Sequence, residues 1–485
     1  MQKITLKNTL SGKKEAFKPV EEGHVKIYAC GVTTYDDCHI GHAMQAIVFD
    51  VMRNYLEYAG YKVTYVRNYT DVDDKIIKRA EERGMTPLEL SSSMIQSTDD
   101  DMKALGVRPA THQPKVSEMI PEIIEMVEGL IKNEAAYATS EGDVYYRVRS
   151  KADYGKLSNR NPDDMRSGTR DIVQGEKEDP LDFALWKADT TEGVSWKSPW
   201  GMGRPGWHIE CSAMAKALLG NTFDIHGGGR DLVFPHHENE IAQSESCNCE
   251  KYVNYWIHCG LMSINNQKMS KSLGNHISIK DFLKQFPAEV LRLSYLNQRY
   301  SSDVDFTDDL FKLNRSRLLY YYETLSLIKE AAQNAEEKGQ IHKEFDLESM
   351  LKTFNKAMGD DFNFGKVISE INLLMKKARQ ILSGKKNALL ANSAKNFLSF
   401  LEQVSPVLGI LDKDPASFIK DLTMQMLPET GLTIDEIESK ISDRDKARAD
   451  KSWSLSDEIR DELLAKGIII KDGESGTTWA ISSEV

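Results

Sequence analysis

Three constellations in the chain have residue types and spacings suited to chemistry. The first ends the stretch Tyr28 to His42, YACGVTTYDDCHIGH. His39 and His42 are three apart at the start of a helix, so they face one way, beside free backbone N–H groups and the positive end of the helix dipole. A strand, a tight turn and such a helix start make a site for an anion, most naturally a phosphate. The alternative is two histidines that only cap the helix. The second pairs GRPGWHIEC (203–211) with FPHHENE (234–240). His236 and Glu240, four apart, share a face of a helix that begins after Pro235 and can share one metal ion. Cys30 and Cys211 can complete a tetrahedral set. The alternative is a buried cysteine beside a surface His–Glu pair, and no HExxH is present to support a metalloprotease. The third is KMSKS, residues 268–272, whose Lys268 and Lys271, in a loop closed by Gly274, offer mobile cations to a phosphate chain. Cys247 and Cys249 form a CxC in a polar turn and read as inert thiols.

The elements that must position these groups follow from periodicity. His24 to Ala29 alternates and is rich in Val, Ile and Tyr, as a buried strand is. Met44, Ile47, Val48, Val51, Tyr55 and Leu56 mark a helix, and Lys62 to Arg67 a second strand, which opens a parallel α/β sheet. Thr70 then falls at a strand's carboxyl end, where ligands bind in such sheets. Ser91 to Lys132 reads as mostly helical and Asp143 to Val148 as a strand. Lys151 to Pro199 is polar and irregular, an insertion. The sheet returns at Phe223 to His226 and ends in Gly227 to Gly229. From Asp308 the pattern is helical, with faces at Leu318–Ala332 and Val367–Leu382 separated by a polar linker, Ala335 to Lys343. A small terminal unit follows Pro428: a charged helix from Ile434 to Ala465, a strand at Ile468 to Ile470 and a turn at Asp472-Gly473.

The 485 residues suffice for about three domains with a substantial core. Apolar content of 40% and charged content of 28% are those of a soluble globular protein. The opening residues hold no apolar signal core, and no run approaches the ~18 apolar residues of a membrane span, so a cytoplasmic protein is expected. Six cysteines are too few for a disulfide framework in so long a chain. Lys and Arg number 62 against 74 Asp and Glu, a formal charge of −12, which excludes a generally basic surface but leaves room for a local basic groove.

CHIGH and KMSKS are the two signatures of class I aminoacyl-tRNA synthetases. YACGVTTYD, RNYTDVDDKI, DFALWK, GRPGWHIECSAM, FDIHGGGRDLVFPHHENEIAQ and KMSKSLGN resemble the cysteinyl-tRNA synthetases, and the resemblance runs to GTTW at Gly476 to Trp479. One departure is Phe364, where the family usually has Thr after DDFN. The resemblance implies an α/β fold: a Rossmann-like parallel-sheet catalytic domain (1–116 and 201–260) interrupted by a connective insertion (117–200). A KMSKS-bearing stem-contact region (261–307), a helical bundle (308–427) and a C-terminal α+β anticodon-binding unit (428–485) follow.

By the same resemblance, cysteine is activated with ATP to cysteinyl-adenylate and passed to the 3′ end of tRNA(Cys). His39, His42, Lys268 and Lys271 are the implied catalytic residues. Gly227, Gly228 and Asp231, with the two histidines and Lys271, would hold ATP and its Mg2+. Thr33, Thr70 and Trp207 would hold L-cysteine. Cys30, Cys211, His236 and Glu240 would bind one zinc ion that recognises the substrate thiolate. Arg448, Trp453 and Asp457 match positions that read the anticodon, and Arg and Trp suit unpaired bases; a solvated helix face explains Arg448 and Asp457 nearly as well. Lys75 to Arg79 matches a segment linked to pyridoxal-phosphate-dependent persulfide formation, but a basic helix beside the site is the simpler reading. A monomer with no membrane association is expected. Two alternatives stay open: the related ligase that joins cysteine to an amino sugar, and a non-catalytic tRNA-binding paralogue.

Overall fold

The structure is a computed structural model. It describes residues 2–161, 163, 176–265, 267, 268, 276–333, 335, 339–382, 388–473 and 476–482, and of Lys268 the backbone alone. The chain forms two compact units, one of Met1–Lys280, Tyr295–Phe306 and Phe354–Val367, the other of Asp281–Ser294, Thr307–Thr353 and Ile368–Val485.

The first unit is built on a parallel sheet. Strand β1 (His24–Thr33) is followed by helix α1 (Ile40–Tyr58) and strand β2 (Lys62–Thr70). Helix α2 (Ile209–Leu219), strand β3 (Phe223–Gly229), helix α3 (Glu238–Asn248) and strand β4 (Val253–Cys259) complete it. The strand order is β4–β3–β1–β2, every pair parallel. Strands covered on both faces are buried almost along their whole length, and β2 to β4 are, although Arg67, Asn68, Asp224, His226 and His258 interrupt their apolar runs. The β1–β2 register jumps between Ala29 and Val32. At that bulge the Gly31 N–H donates to Asn68 Oδ1 at 2.8 Å, and any side chain at Gly31 would run into the Asn68 carbonyl. A bulge re-aims the residues around it, here Cys30.

The stretch from Lys151 to Pro199, expected to be irregular, instead contributes strands to a five-stranded antiparallel sheet. Its order is Ala136–Ala138, Val144–Tyr146, Phe183–Ala188, Gly201–Pro205, Trp196–Ser198. The strands are three to six residues long, too short for alternation to register among the flanking Asp, Gly and Pro. Gly201–Pro205, beyond the expected end of the insertion at residue 200, belongs to this sheet. Trp186, Leu185 and Tyr146 from it share one buried cluster with Tyr28, Cys30, Cys211 and Trp256, so insertion and parallel sheet have a common core.

The second unit is helical. Asp308–Ala332 and Ala388–Leu408 are its longest helices contained whole within it. Leu347–Met358, which periodicity did not mark, lies between the two helices that were expected. The linker at 335–343 falls partly outside the described residues. The terminal charged helix is two helices, Ile434–Ala449 and Trp453–Ala465. The break is at Lys451, in the left-handed region at φ +58°. There the chain reverses, and Lys440 of one helix pairs with Glu462 of the other at 2.7 Å. Both halves carry helical periodicity, and the turn between them has no Gly or Pro to mark it. The hairpin Ile468–Gly473 with Gly476–Ile481 closes the chain. Among the described residues, no helix is long and apolar enough to cross a membrane.

Candidate active site

Four elements of the first unit converge on one buried point. Cys30 comes from the bulge in β1, Cys211 from α2, His236 from the wide helical turn Val233–His237, and Glu240 from the first turn of α3. None is more than 4% exposed, and one ligand atom of each lies within 4.8 Å of all the others. Cys30 Sγ is 3.7 Å from Cys211 Sγ and 3.5 Å from Glu240 Oε1. His236 Nε2 is 3.1 Å from the same oxygen. The edges of a zinc tetrahedron are about 3.8 Å between two sulfurs and about 3.3 Å between a nitrogen and an oxygen, from the ordinary bond lengths. The donors therefore already stand at nearly the required separations.

Outer partners orient them. His226 Nε2 at 2.8 Å and the Tyr252 hydroxyl at 3.0 Å engage Glu240 Oε2, which leaves Oε1 for the cluster. His208 Nδ1 lies 3.0 Å from His236 Nδ1, which leaves Nε2 facing inward. Such partners fix ligand tautomer and rotamer. Burial pushes the Cys30 thiol well above its usual range. The Cys211 sulfur accepts the Cys30 hydrogen bond and is drawn down to about 6 although burial opposes it. Burial also works against the charge on His236, but Cys211 and Glu240 outweigh it and raise the imidazole to about 10. Glu240 is held well below the carboxylate range, against burial, by His226 and His236. Converging anionic donors in a dry core are what a divalent cation neutralises, since buried charge is costly without a partner. The residues fit zinc.

Cys30 and Glu240 also group with His226 and His237, two residues the sequence reading passed over. His237 Nε2 lies 3.3 Å from Cys30 Sγ, and its Nδ1 lies 2.8 Å from His258 Nε2. The signal was present in the doubled histidine and in FDIHGGG. Sequence alone does not say which of two adjacent histidines points where. His236 is the one packed against the cleft wall: its ring lies 4.6 Å from that of Trp207, which lines the neighbouring cleft.

That cleft, of about 360 Å3, opens at the carboxyl ends of the strands and is lined among others by Thr33, His39, His42, Trp207, Gly229 and Asp231. The His39 and His42 rings stack at 3.8 Å. The helix-start N–H groups are not free, however. His39 Nδ1 accepts from the Gly41 N–H at 3.1 Å, His42 Nδ1 from the His39 N–H at 3.3 Å, and the Ile277 carbonyl from the Ile40 N–H at 3.0 Å. The histidines cap the helix through Nδ1, which leaves their Nε2 edges, rather than bare amides, as the groups available there. His276, edge-on to His39 at 6.5 Å, and Gln45 are further residues in or beside the cleft that sequence reasoning did not assign to it, while Lys75 lines it as expected of a basic helix beside the site.

Thr33 pairs with Thr70 at the strand ends, but the two differ in role. Thr70 is 4% exposed and its hydroxyl donates to the buried Glu210 Oε2 at 3.0 Å, one layer behind the wall. Gly227 and Gly228 also stand back from the cleft, and the close approach they permit is to protein. A Cβ at Gly227 would come 2.1 Å from Phe49 Cζ and 2.6 Å from the Ile257 carbonyl oxygen, and one at Gly228 would meet Leu232 and His237. Gly227→Ala should therefore cost about 1–3 kcal/mol by overpacking, read as a lowered Tm; an unchanged Tm would mean that Phe49 moves aside freely. Lys268 sits in the strand Gln267–Lys268, which pairs with Met262–Ile264 at the cleft's edge. Lys271 lies outside the described residues.

In the terminal unit Trp453 is 61% exposed. Arg448 pairs with Asp472 at 2.6 Å and Asp457 with Arg460 at 3.4 Å. Exposed pairs of this kind are worth little and exchange readily for a ligand.

Residues 16–316 match the family model "tRNA synthetases class I (C) catalytic domain", and residues 353–412 match the DALR domain. The cysteine–tRNA ligase of Desulfotalea psychrophila is 45% identical over 484 residues, covering 99% of both chains. That of Geobacter metallireducens is 47% identical over 483 residues, covering 98% of this chain and 99% of the relative. Among solved structures, Mycobacterium tuberculosis methionyl-tRNA synthetase in complex with methionyl-adenylate has a TM-score of 0.61 at 12% identity, over 85% of this chain and 94% of that one, a likeness of fold. The chain belongs to the cysteine–tRNA ligase family of class I tRNA synthetases.

Proposed function

We propose that the protein is a cysteine–tRNA ligase that works in the cytoplasm as a monomer. The observation that carries this is the buried Cys30–Cys211–His236–Glu240 cluster standing behind Trp207 at the wall of the cleft that holds the stacked histidines. The cysteine carboxylate attacks the α-phosphate of ATP, pyrophosphate leaves, and a terminal ribose hydroxyl of tRNA(Cys) then takes the cysteinyl group. His39 and His42 present their Nε2 edges to the charge that grows on the phosphates, an electrostatic contribution that needs no covalent intermediate. Lys268 and Lys271 close over the pyrophosphate, Mg2+ accompanies ATP, and Asp231 accepts from a ribose hydroxyl. Gly229, rather than Gly227 and Gly228, lies against the nucleotide. Trp207 and Thr33 hold the amino acid, and Thr70 steadies the wall through Glu210.

Zinc held by Cys30, Cys211, His236 and Glu240 would supply a Lewis-acid site that binds the substrate thiolate and that a serine hydroxyl engages poorly. Losing a specific bond rejects an analogue far more strongly than a small difference in size does, so no editing domain is required. Trp453 stacks on an anticodon base, with Arg448 and Asp457 exchanging their internal partners for base edges.

The test is transfer of labelled cysteine, with ATP, to total tRNA in one reaction and to an amino-sugar acceptor in another. Label on tRNA alone is expected. Label on the sugar alone would overturn the reading of the helical unit and keep the cleft. Absence of label in both, with zinc bound and the chain folded, would favour a non-catalytic tRNA-binding protein.

A further inference from the structure

The cleft has a neighbour. A second cavity, of about 510 Å3, shares only the Asp231 side chain with the cleft's lining and lies on the Val233–Phe234 side of it. Its wall carries the cations Lys7, Arg160 and Arg230 against the single carboxylate of Asp231. In a chain of formal charge −12 this is a local concentration of positive charge.

The cavity is built. The loop that carries Arg160 closes on itself, with the Arg160 N–H donating to the Gly155 carbonyl at 3.1 Å. Gly155 sits at φ +96°, and a Cβ there would come 1.8 Å from the Arg160 carbonyl oxygen. The same loop is fastened to the first turn of α3. The Glu238 carboxylate, 1% exposed, accepts from the Leu157 N–H at 3.1 Å and the Ser158 N–H at 2.8 Å. The Tyr154 hydroxyl donates to Asn239 Oδ1 at 2.5 Å. So held, Arg160 places its guanidinium carbon 4.4 Å from the centre of the Phe234 ring. On another side Arg230 Nη1 pairs with Asp303 at 2.8 Å.

A guanidinium lying on an aromatic face is a flat, charged platform of the kind on which unpaired bases stack. Cations distributed around it suit a backbone with successive phosphates. A free mononucleotide instead needs donors gathered at one phosphate, and here the cations stand on three separate segments, at residues 7, 160 and 230. We propose that this cavity takes the single-stranded 3′ end of the tRNA. Lys7, Arg160 and Arg230 meet its phosphates, the Arg160–Phe234 pair stacks a base, and the terminal ribose passes over Asp231 into the cleft. The inference rests on the ligase reading above.

The test compares the full-length wild-type chain with Arg160→Ala and with Lys7→Ala/Arg160→Ala, both at exposed positions. Cysteine-dependent exchange of pyrophosphate into ATP should stay within twofold of wild type. The kcat/KM for tRNA should fall at least tenfold in Arg160→Ala and further in the double variant. Binding of intact tRNA should lose its advantage over tRNA trimmed of its single-stranded 3′ nucleotides, and the salt dependence of binding should flatten. Unchanged transfer in both variants overturns the proposal, as does parallel loss of exchange and transfer, which would assign the cavity to activation. Loss of AMP or inorganic phosphate binding with transfer intact also overturns it, in favour of a small-anion site. Wild-type protein that charges no tRNA removes the ligase reading and this proposal together, whereas wild-type charging with unaffected variants removes this proposal alone.

Discussion

Cys211→Ser loses its zinc and its ability to activate cysteine together. The serine oxygen is a hard, protonated donor where the set provides a thiolate, and it leaves Cys30, His236 and Glu240 as three buried donors without their fourth partner. With the metal absent, cysteine keeps only the contacts that serine could also make. The loss in kcat/KM for cysteine is expected at roughly 10⁴–10⁵-fold, the range for a site built around one specific bond. Zinc content per chain by elemental analysis, alongside pyrophosphate exchange, checks it. Cys247→Ser is the control, since that half-buried thiol lies outside the cluster, and it should retain both metal and activity. A Cys211→Ser protein that activates cysteine at the wild-type rate without metal would rule out recognition through the cluster.

The second large effect belongs to His39, which caps α1 and presents its ring to the cleft. The two roles separate by substitution. His39→Ala removes the cap and the ring; His39→Asn keeps a side chain favoured at that position but cannot reach the developing charge. Loss of the cap alone costs about 1 kcal/mol, a shift of a few degrees at most in the Tm of so large a chain. Loss of one preorganised donor to a growing anion costs roughly 10²–10³ in kcat. Both variants should therefore exchange pyrophosphate about 10²–10³-fold more slowly, with His39→Asn close to wild type in Tm. A His39→Asn variant near the wild-type rate would reduce the histidine pair to a helix cap.

These expectations draw on two kinds of information. Some was present in the order of residues, because contacts three or four positions apart follow from helical geometry. The stacked His39 and His42 are of this kind, as are the His236–Glu240 pair and the strand–helix–strand succession that opens the sheet. The family motifs carried the domain plan further than periodicity could. Periodicity failed where elements are short or where two helices of similar pattern abut, as in the insertion sheet and at Lys451.

Other features were decided only in three dimensions. Cys30 and Cys211, 181 positions apart, meet because α2 packs against β1 and β2, and because a bulge turns Cys30 toward that meeting. The close neighbours of Gly227 are Phe49 and the Ile257 carbonyl, set by what packs against the sheet rather than by any nucleotide. Thr70 stands behind the wall because Glu210 reaches it from α2. Local residue order sets dihedral preference and which side chains share a face. The approach of distant segments depends on strand order, register and packing, which no local stretch encodes. The chain by itself therefore named the donors and the family, and the tertiary structure decided which donors meet, which of the paired histidines packs behind Trp207, and where a basic cavity opens beside the cleft.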